Sequence, residues 1–199
     1  VNDHDNPWVM GGDANPRSAQ IPQSAPEKFR AYVNRPRASV GAVDKTDQLP
    51  RRKVTAAAGL WFVGVHGGAG ESTLAQLVQG SAAADHFWPI ATNSASVVVV
   101  LVCRSNMAGL RAAQRAVQDW ASGALPTIQL CGLVIVADAK GSLPKPLRDL
   151  VQVLSGAVPR TWSMPWLDAL RLGQGLDLPG APRAIHSMVA SIAAASSSN

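Results

Sequence analysis

From Ala56 onward, apolar stretches of strand type alternate with stretches whose apolar residues recur at helical spacing. Ala56 to Val65 predicts a strand running into a glycine-rich turn. Glu71 to Ala84, with Leu74, Leu77 and Val78 in one stripe, predicts a helix. Val97 to Cys103 contains four successive valines and has the unbroken apolar character of a strand covered on both faces. Asn106 to Ala121 follows as an amphipathic helix, with Leu110, Ala113, Val117 and Trp120 along one side and Gly123 as its stop. Thr127 to Ala137 is the next strand, and Leu147 to Leu154 is a short helix entered through Pro144 and Pro146. Arg160 to Met164 predicts a short strand, Trp166 to Leu172 begins another helix, and a last helix runs from Pro182 to Ala194. This alternation predicts the α/β class: a three-layer domain with a mostly parallel sheet and helices on both faces.

Residues 1–53 show no such period. They are dense in Pro, Asn, Asp, Gly, Ser and Arg and poor in branched aliphatics, a composition that buries too little apolar surface to offset chain entropy. The expected organisation is a disordered basic leader over 1–53, a domain over 54–195 and a frayed Ser-rich tail over 196–199. A helical turn is expected at Pro26 to Tyr32. Trp8, in Asn6-Pro7-Trp8-Val9-Met10, is either incidental or a docking peptide for a protein partner.

The net charge of +5 divides unevenly. Residues 1–53 hold nine Lys/Arg and six Asp/Glu, so the excess sits mostly in the leader, where Arg30, Arg35 and Arg37 beside Phe29 and Tyr32 could touch nucleic acid. Interleaved acids argue against it. No apolar run reaches the roughly 18 residues needed to span a bilayer, and no signal-type segment follows Val1, so the cytoplasm is the expected compartment. Cys103 and Cys131 lie in apolar runs and read as buried thiols. The four histidines show no zinc spacing, and no Gly-x-Ser-x-Gly elbow is present.

The candidate chemistry lies between the first strand and the first helix, at His66-Gly67-Gly68-Ala69-Gly70-Glu71-Ser72-Thr73. Glycines there let successive amide N–H groups face one cavity, as a phosphate-binding loop requires. The stretch resembles the deviant Walker A motif of ParA/MinD-class P-loop ATPases, Lys-Gly-Gly-x-Gly-Lys-[Ser/Thr]-[Ser/Thr], at six of eight positions. The order of elements over roughly 58–173 is also similar to part of such a domain. The resemblance implies a P-loop-like fold that binds ATP or another nucleotide with Mg²⁺ at Gly67, Gly68, Ala69, Gly70, Glu71, Ser72 and Thr73. In it Ser72 would meet the metal, and Asp138, ending Val134-Ile135-Val136-Ala137, would contact the base or else cap a turn.

The two mismatches are the family's two lysines. Glu71 stands where a lysine would neutralise phosphates, and its carboxylate is placed to fill the anion nest itself. His66 replaces the signature lysine on which the family's nucleotide-sandwiched homodimer depends, which leaves a homodimer open. Val97 to Cys103 ends in Arg104 rather than Asp, no Asp is seen ending an apolar strand after the first helix, and the domain looks shortened by one or two strands. The expectation is a nucleotide-binding switch or positioning factor with weak or no hydrolysis. The alternative is a pseudo-ATPase, a scaffold or adaptor that binds a protein partner through Trp8 and the leader.

Overall fold

The computed structural model describes residues 41, 43–55 and 58–197. Trp8, the turn expected at 26–32 and Arg30, Arg35 and Arg37 lie outside the described residues. Five strands form one wholly parallel sheet: β2 (Leu60–Gly64), β3 (Ser81–Ala84), β5 (Val97–Arg104), β6 (Ile128–Val136) and β7 (Thr161–Met164), in the order β3-β2-β5-β6-β7. A second, two-stranded parallel sheet pairs β1 (Arg51–Val54) with β4 (Trp88–Ala91). The helices are α1 (Glu71–Leu77), α2 (Met107–Ala121), α3 (Lys145–Ala157), α4 (Asp168–Arg171) and α5 (Arg183–Ser197). The expected α/β class with a parallel sheet is what the chain adopts.

Helix placement follows from the direction of each crossover. The chain steps from β2 to β3 one way across the sheet, then from β5 to β6 to β7 the other way. Right-handed crossovers therefore put α1 on one face and α2 and α3 on the opposite one. Leu74 and Leu77 of α1 pack with Phe62, Val100, Val102 and Val134, and Ile185, Met188 and Ile192 of α5 complete that layer. On the other face Leu110, Ala113, Val117 and Trp120 of α2 pack on Val63, Val99 and Leu101, so the predicted stripe is the buried one. The small sheet joins the same layer through Trp88 and Phe87.

β6 carries an irregularity. Val99 pairs with Leu130 but Val100 pairs with Gly132, so Cys131 is an inserted residue and the side-chain alternation reverses across it. Leu130 and Leu133 consequently point into one core layer and Cys131 and Val134 into the other. Gly132 is required there, because a Cβ would lie 2.4 Å from the Arg160 carbonyl oxygen.

β4 (Trp88–Ala91) is a strand that the pattern did not predict, and the boundaries differ from expectation elsewhere. The helix expected over Glu71 to Ala84 stops at Leu77, and Ser81–Ala84 is instead the edge strand β3. Val78 leaves the helix in an extended conformation, Gly80 turns the chain at φ +76, and the Ser81 hydroxyl donates to the Val78 carbonyl at 2.8 Å. β3 thus ends directly before Asp85, so an acid does follow a short apolar strand beside β2. Arg51–Val54, within the stretch read as leader, is strand β1, and the end of α5 reaches Ser197, inside the expected frayed tail. Among the described residues, no helix is long and apolar enough to cross a membrane.

Candidate functional site

The strand order reverses between β2 and β5, and in open α/β sheets the crevice outside the carboxyl ends at such a point is where ligands bind. A cavity of about 560 Å³ lies there. Its floor is the chain from Val65 to Gly68, with Arg104 at the end of β5 and Asp138 after β6. One wall is the start of α2, with Asn106, Ala108, Gly109 and Arg115. The other is the segment after β7, with Pro165, Trp166, Leu170 and Arg171.

Hydrogen bonds made by Arg104, His66 and Ser105 hold the floor. Arg104 Nε donates to the Gly68 carbonyl at 3.1 Å and its Nη1 donates to the Ala137 carbonyl at 3.0 Å, so one guanidinium ties the glycine loop to the end of β6. The Arg104 backbone N–H donates to His66 Nε2 at 3.0 Å, which places the imidazole proton on Nδ1, 3.0 Å from the Gly67 carbonyl. The Ser105 hydroxyl accepts from the Asp138 N–H at 3.0 Å and fixes the turn after β6. Asn106 caps α2, its Oδ1 accepting from Gly109 N–H at 2.8 Å. Gly109 lets that helix close on the floor, since a Cβ would stand 2.5 Å from the Arg104 carbonyl oxygen and 2.8 Å from His66 Nε2.

Glu71 is turned inward. Its carboxylate is buried, with Oε2 accepting from the Gly70 N–H at 3.0 Å. It fills the space over Gly64, where a Cβ would fall 2.5 Å from Glu71 Cδ. His86, at φ +54, donates from Nδ1 to the Gly64 carbonyl at 3.0 Å and stands 3.7 Å from Glu71 Oε1. A non-glycine residue in that region of backbone space carries strain, and here it brings an imidazole over the buried carboxylate.

Of the residues singled out in the sequence, Gly67, Gly68 and Asp138 share the cavity. Ala69, Gly70, Glu71, Ser72 and Thr73 do not line it: Ala69 is wholly buried, Ser72 is exposed on α1 and Thr73 is half-buried. Ser72, where the resemblance implies a metal contact, stands outside the cavity. The acid beside it is folded under the loop, and among the described residues no group of three or more His, Cys, Asp or Glu is placed to hold a metal. Sequence reasoning missed Arg104, Arg115 and Arg171 as cavity residues. Arg104 had a signal, a charge closing an otherwise apolar strand, whereas the other two sit on helix faces with nothing to mark them.

The bulky residues in and after β7 lie in two settings. Trp162 and Met164 are core residues, with the Trp162 indole donating to the Ser191 hydroxyl at 2.9 Å, while Pro165 and Trp166 reach the cavity. The Trp166 indole N–H donates to Asp168 Oδ1 at 2.9 Å, and Asp168 Oδ2 pairs with Lys140 Nζ at 2.9 Å. These two hydrogen bonds hold the Asp168 carboxyl below its ordinary range, the tryptophan contributing first.

Comparison with protein families matches residues 58–191 to DUF6668, a family of unknown function. The chain belongs to it. The DUF6668 match takes in the glycine loop, the cavity and all five strands of the main sheet, and it begins after β1. No curated protein and no solved structure matches the chain.

Proposed function

We propose that this domain is a P-loop-like fold of the ParA/MinD type that has given up nucleoside-triphosphate hydrolysis and works as a binding or adaptor module, a pseudo-ATPase. The Glu71 carboxylate carries the reading. In a working loop the space under the first turn of the helix is left to a phosphate and a neutralising lysine. In this chain an acid of the protein's own takes the Gly70 N–H and packs on Gly64. An incoming triphosphate would meet a fixed negative charge at low local dielectric, a repulsion worth on the order of a few kcal/mol. Arg104 at the end of β5 adds support, because a cation there draws anions but holds no metal. The segment around Trp8 is the proposed contact with a protein partner.

Titration calorimetry of Mg-ATP, ADP and GTP into the wild type and Glu71→Lys tests the reading. The wild type is expected to bind weakly or not at all, and the lysine variant to gain affinity. Micromolar binding of Mg-ATP to the wild type that persists in Trp166→Ala would overturn it and restore the nucleotide switch.

A further inference from the structure

The cavity has properties that the folded chain does not itself require. Gly67 lines it at an ordinary backbone conformation, and a Cβ built there would meet nothing within 4 Å. Neither φ nor packing within the chain asks for glycine. The bare backbone at Gly67 leaves room for a ligand to approach it closely.

The charges point the same way. Arg104 engages two carbonyl oxygens, which use its N–H groups without cancelling its charge. Arg171 forms no ion pair among the described residues, and Arg115 is set 3.6 Å from Asp47. Asp138 is the one carboxylate among the lining residues, so the site carries an excess of guanidinium, the group whose flat fork suits phosphate oxygens.

The remaining wall carries an aromatic side chain. Trp166 is half-buried, and its indole N–H donates to Asp168, which in turn pairs with Lys140. A tryptophan in the lining offers an apolar ring surface against which an aromatic group can pack. The volume of about 560 Å³ falls within the roughly 300–1,000 Å³ typical of small-molecule sites.

We propose that this cavity binds an aromatic phosphate of mononucleotide size, with its ring against Trp166 and its phosphate between Arg171, Arg104 and the backbone at Gly67 and Gly68. The proposal deepens the reading of the domain as a binding module and rests on it in one respect: Glu71 keeps the start of α1 from competing for the phosphate.

Magnesium-free calorimetry with AMP, GMP, phenyl phosphate and inorganic phosphate provides the test, on wild type, Gly67→Ala, Arg171→Gln, Trp166→Ala and Trp166→Phe. At least one of the aromatic phosphates should bind the wild type, and inorganic phosphate at least about tenfold more weakly. Arg171→Gln and Trp166→Ala should each lose at least about tenfold, and Trp166→Phe should restore much of the loss. Gly67→Ala should keep the wild-type Tm while losing affinity, which separates a ligand effect from misfolding. No binding of any aromatic phosphate at millimolar concentration would overturn the proposal, as would binding indifferent to Trp166 and Arg171. Because the probes are monophosphates without metal, a failure of Glu71→Lys to gain Mg-ATP binding would count against the pseudo-ATPase reading alone.

Discussion

The indole N–H of Trp88 donates to Asp119 Oδ2 at 3.0 Å across 31 positions of sequence, and both residues are almost wholly buried. This bond locks β4, and with it the small sheet, onto α2. Asp119 Oδ1 has no hydrogen bond among the described residues and faces Arg51 Nη2 of β1 at 3.7 Å. Burial raises the Asp119 carboxyl above its ordinary 3.8, while Arg51 and the Trp88 N–H pull it back down.

A pH signature follows. With the folded value raised, the native state holds the proton more tightly than the unfolded chain. Asp119 therefore stabilises most below the ordinary value, and that contribution is lost as pH rises through the folded one. Asp119→Asn keeps an acceptor for Trp88 and removes the titration. Urea unfolding from about pH 4 to about 7 should show the wild-type stability, measured relative to this variant, falling as pH rises. A pH-independent difference would refute the assignment.

Gly64→Ala should destabilise. The added methyl would occupy the place of the Glu71 carboxylate, so either the acid leaves its bond to Gly70 or the backbone moves. Overpacking of this kind costs about 1–3 kcal/mol, readable by chemical denaturation. A cost within error of zero would mean that Glu71 does not lie under the loop.

Gly109→Ala should cost a similar amount, about 1–3 kcal/mol, for a different reason. Its methyl would push against the Arg104 carbonyl oxygen and His66 Nε2, and so prise α2 from the cavity floor. The ring-proton resonances of His66 should shift together with the loss of stability. An unshifted His66 in a destabilised variant would place the strain elsewhere.

Neither thiol should react in the folded protein. Burial pushes Cys103 up to about 12 and Cys131 up to about 11, the latter pulled back somewhat by Arg160. At mildly alkaline pH the thiolate fraction is then on the order of one part in a thousand or less. Iodoacetamide should leave both unmodified without denaturant and alkylate both in it. Stoichiometric labelling of the native chain would contradict this burial.

The parts of the fold legible in the sequence were those whose signal is local. Val97 to Cys103 could hardly be anything but a buried strand, and α2 announced its stripe, its Asn106 start and its Gly123 end. β3 was hidden because Ser81-Ala82-Ala83-Ala84 continues a helical run by composition, alanine being the best helix former. What makes it a strand is pairing with Leu60 to Val63, which a local pattern does not show. β1 was hidden for the same reason: Arg51-Arg52-Lys53 has no alternation, and its partner strand lies well downstream at Trp88 to Ala91. At the cavity, Gly67, Gly68 and Asp138 stood out as glycine density and as an acid closing a strand. Arg104 ends β5 whereas Trp166 and Arg171 follow β7, and only the sheet brings those two strand ends together.

The small sheet also decides how much chain a working piece of this protein must keep. The DUF6668 match begins at residue 58, but the Trp88 backbone N–H donates to the Pro50 carbonyl at 2.8 Å and the Thr92 backbone N–H to the Val54 carbonyl at 3.1 Å. Leu49 and Val54 pack against the α2 side of the core. A fragment cut at the family boundary would strip β4 of its neighbour and leave Asp119 buried without its cation. Expression boundaries, domain fusions and complementation fragments for this fold should accordingly be drawn upstream of residue 45, treating the stretch through Val54 as a fastener of the domain.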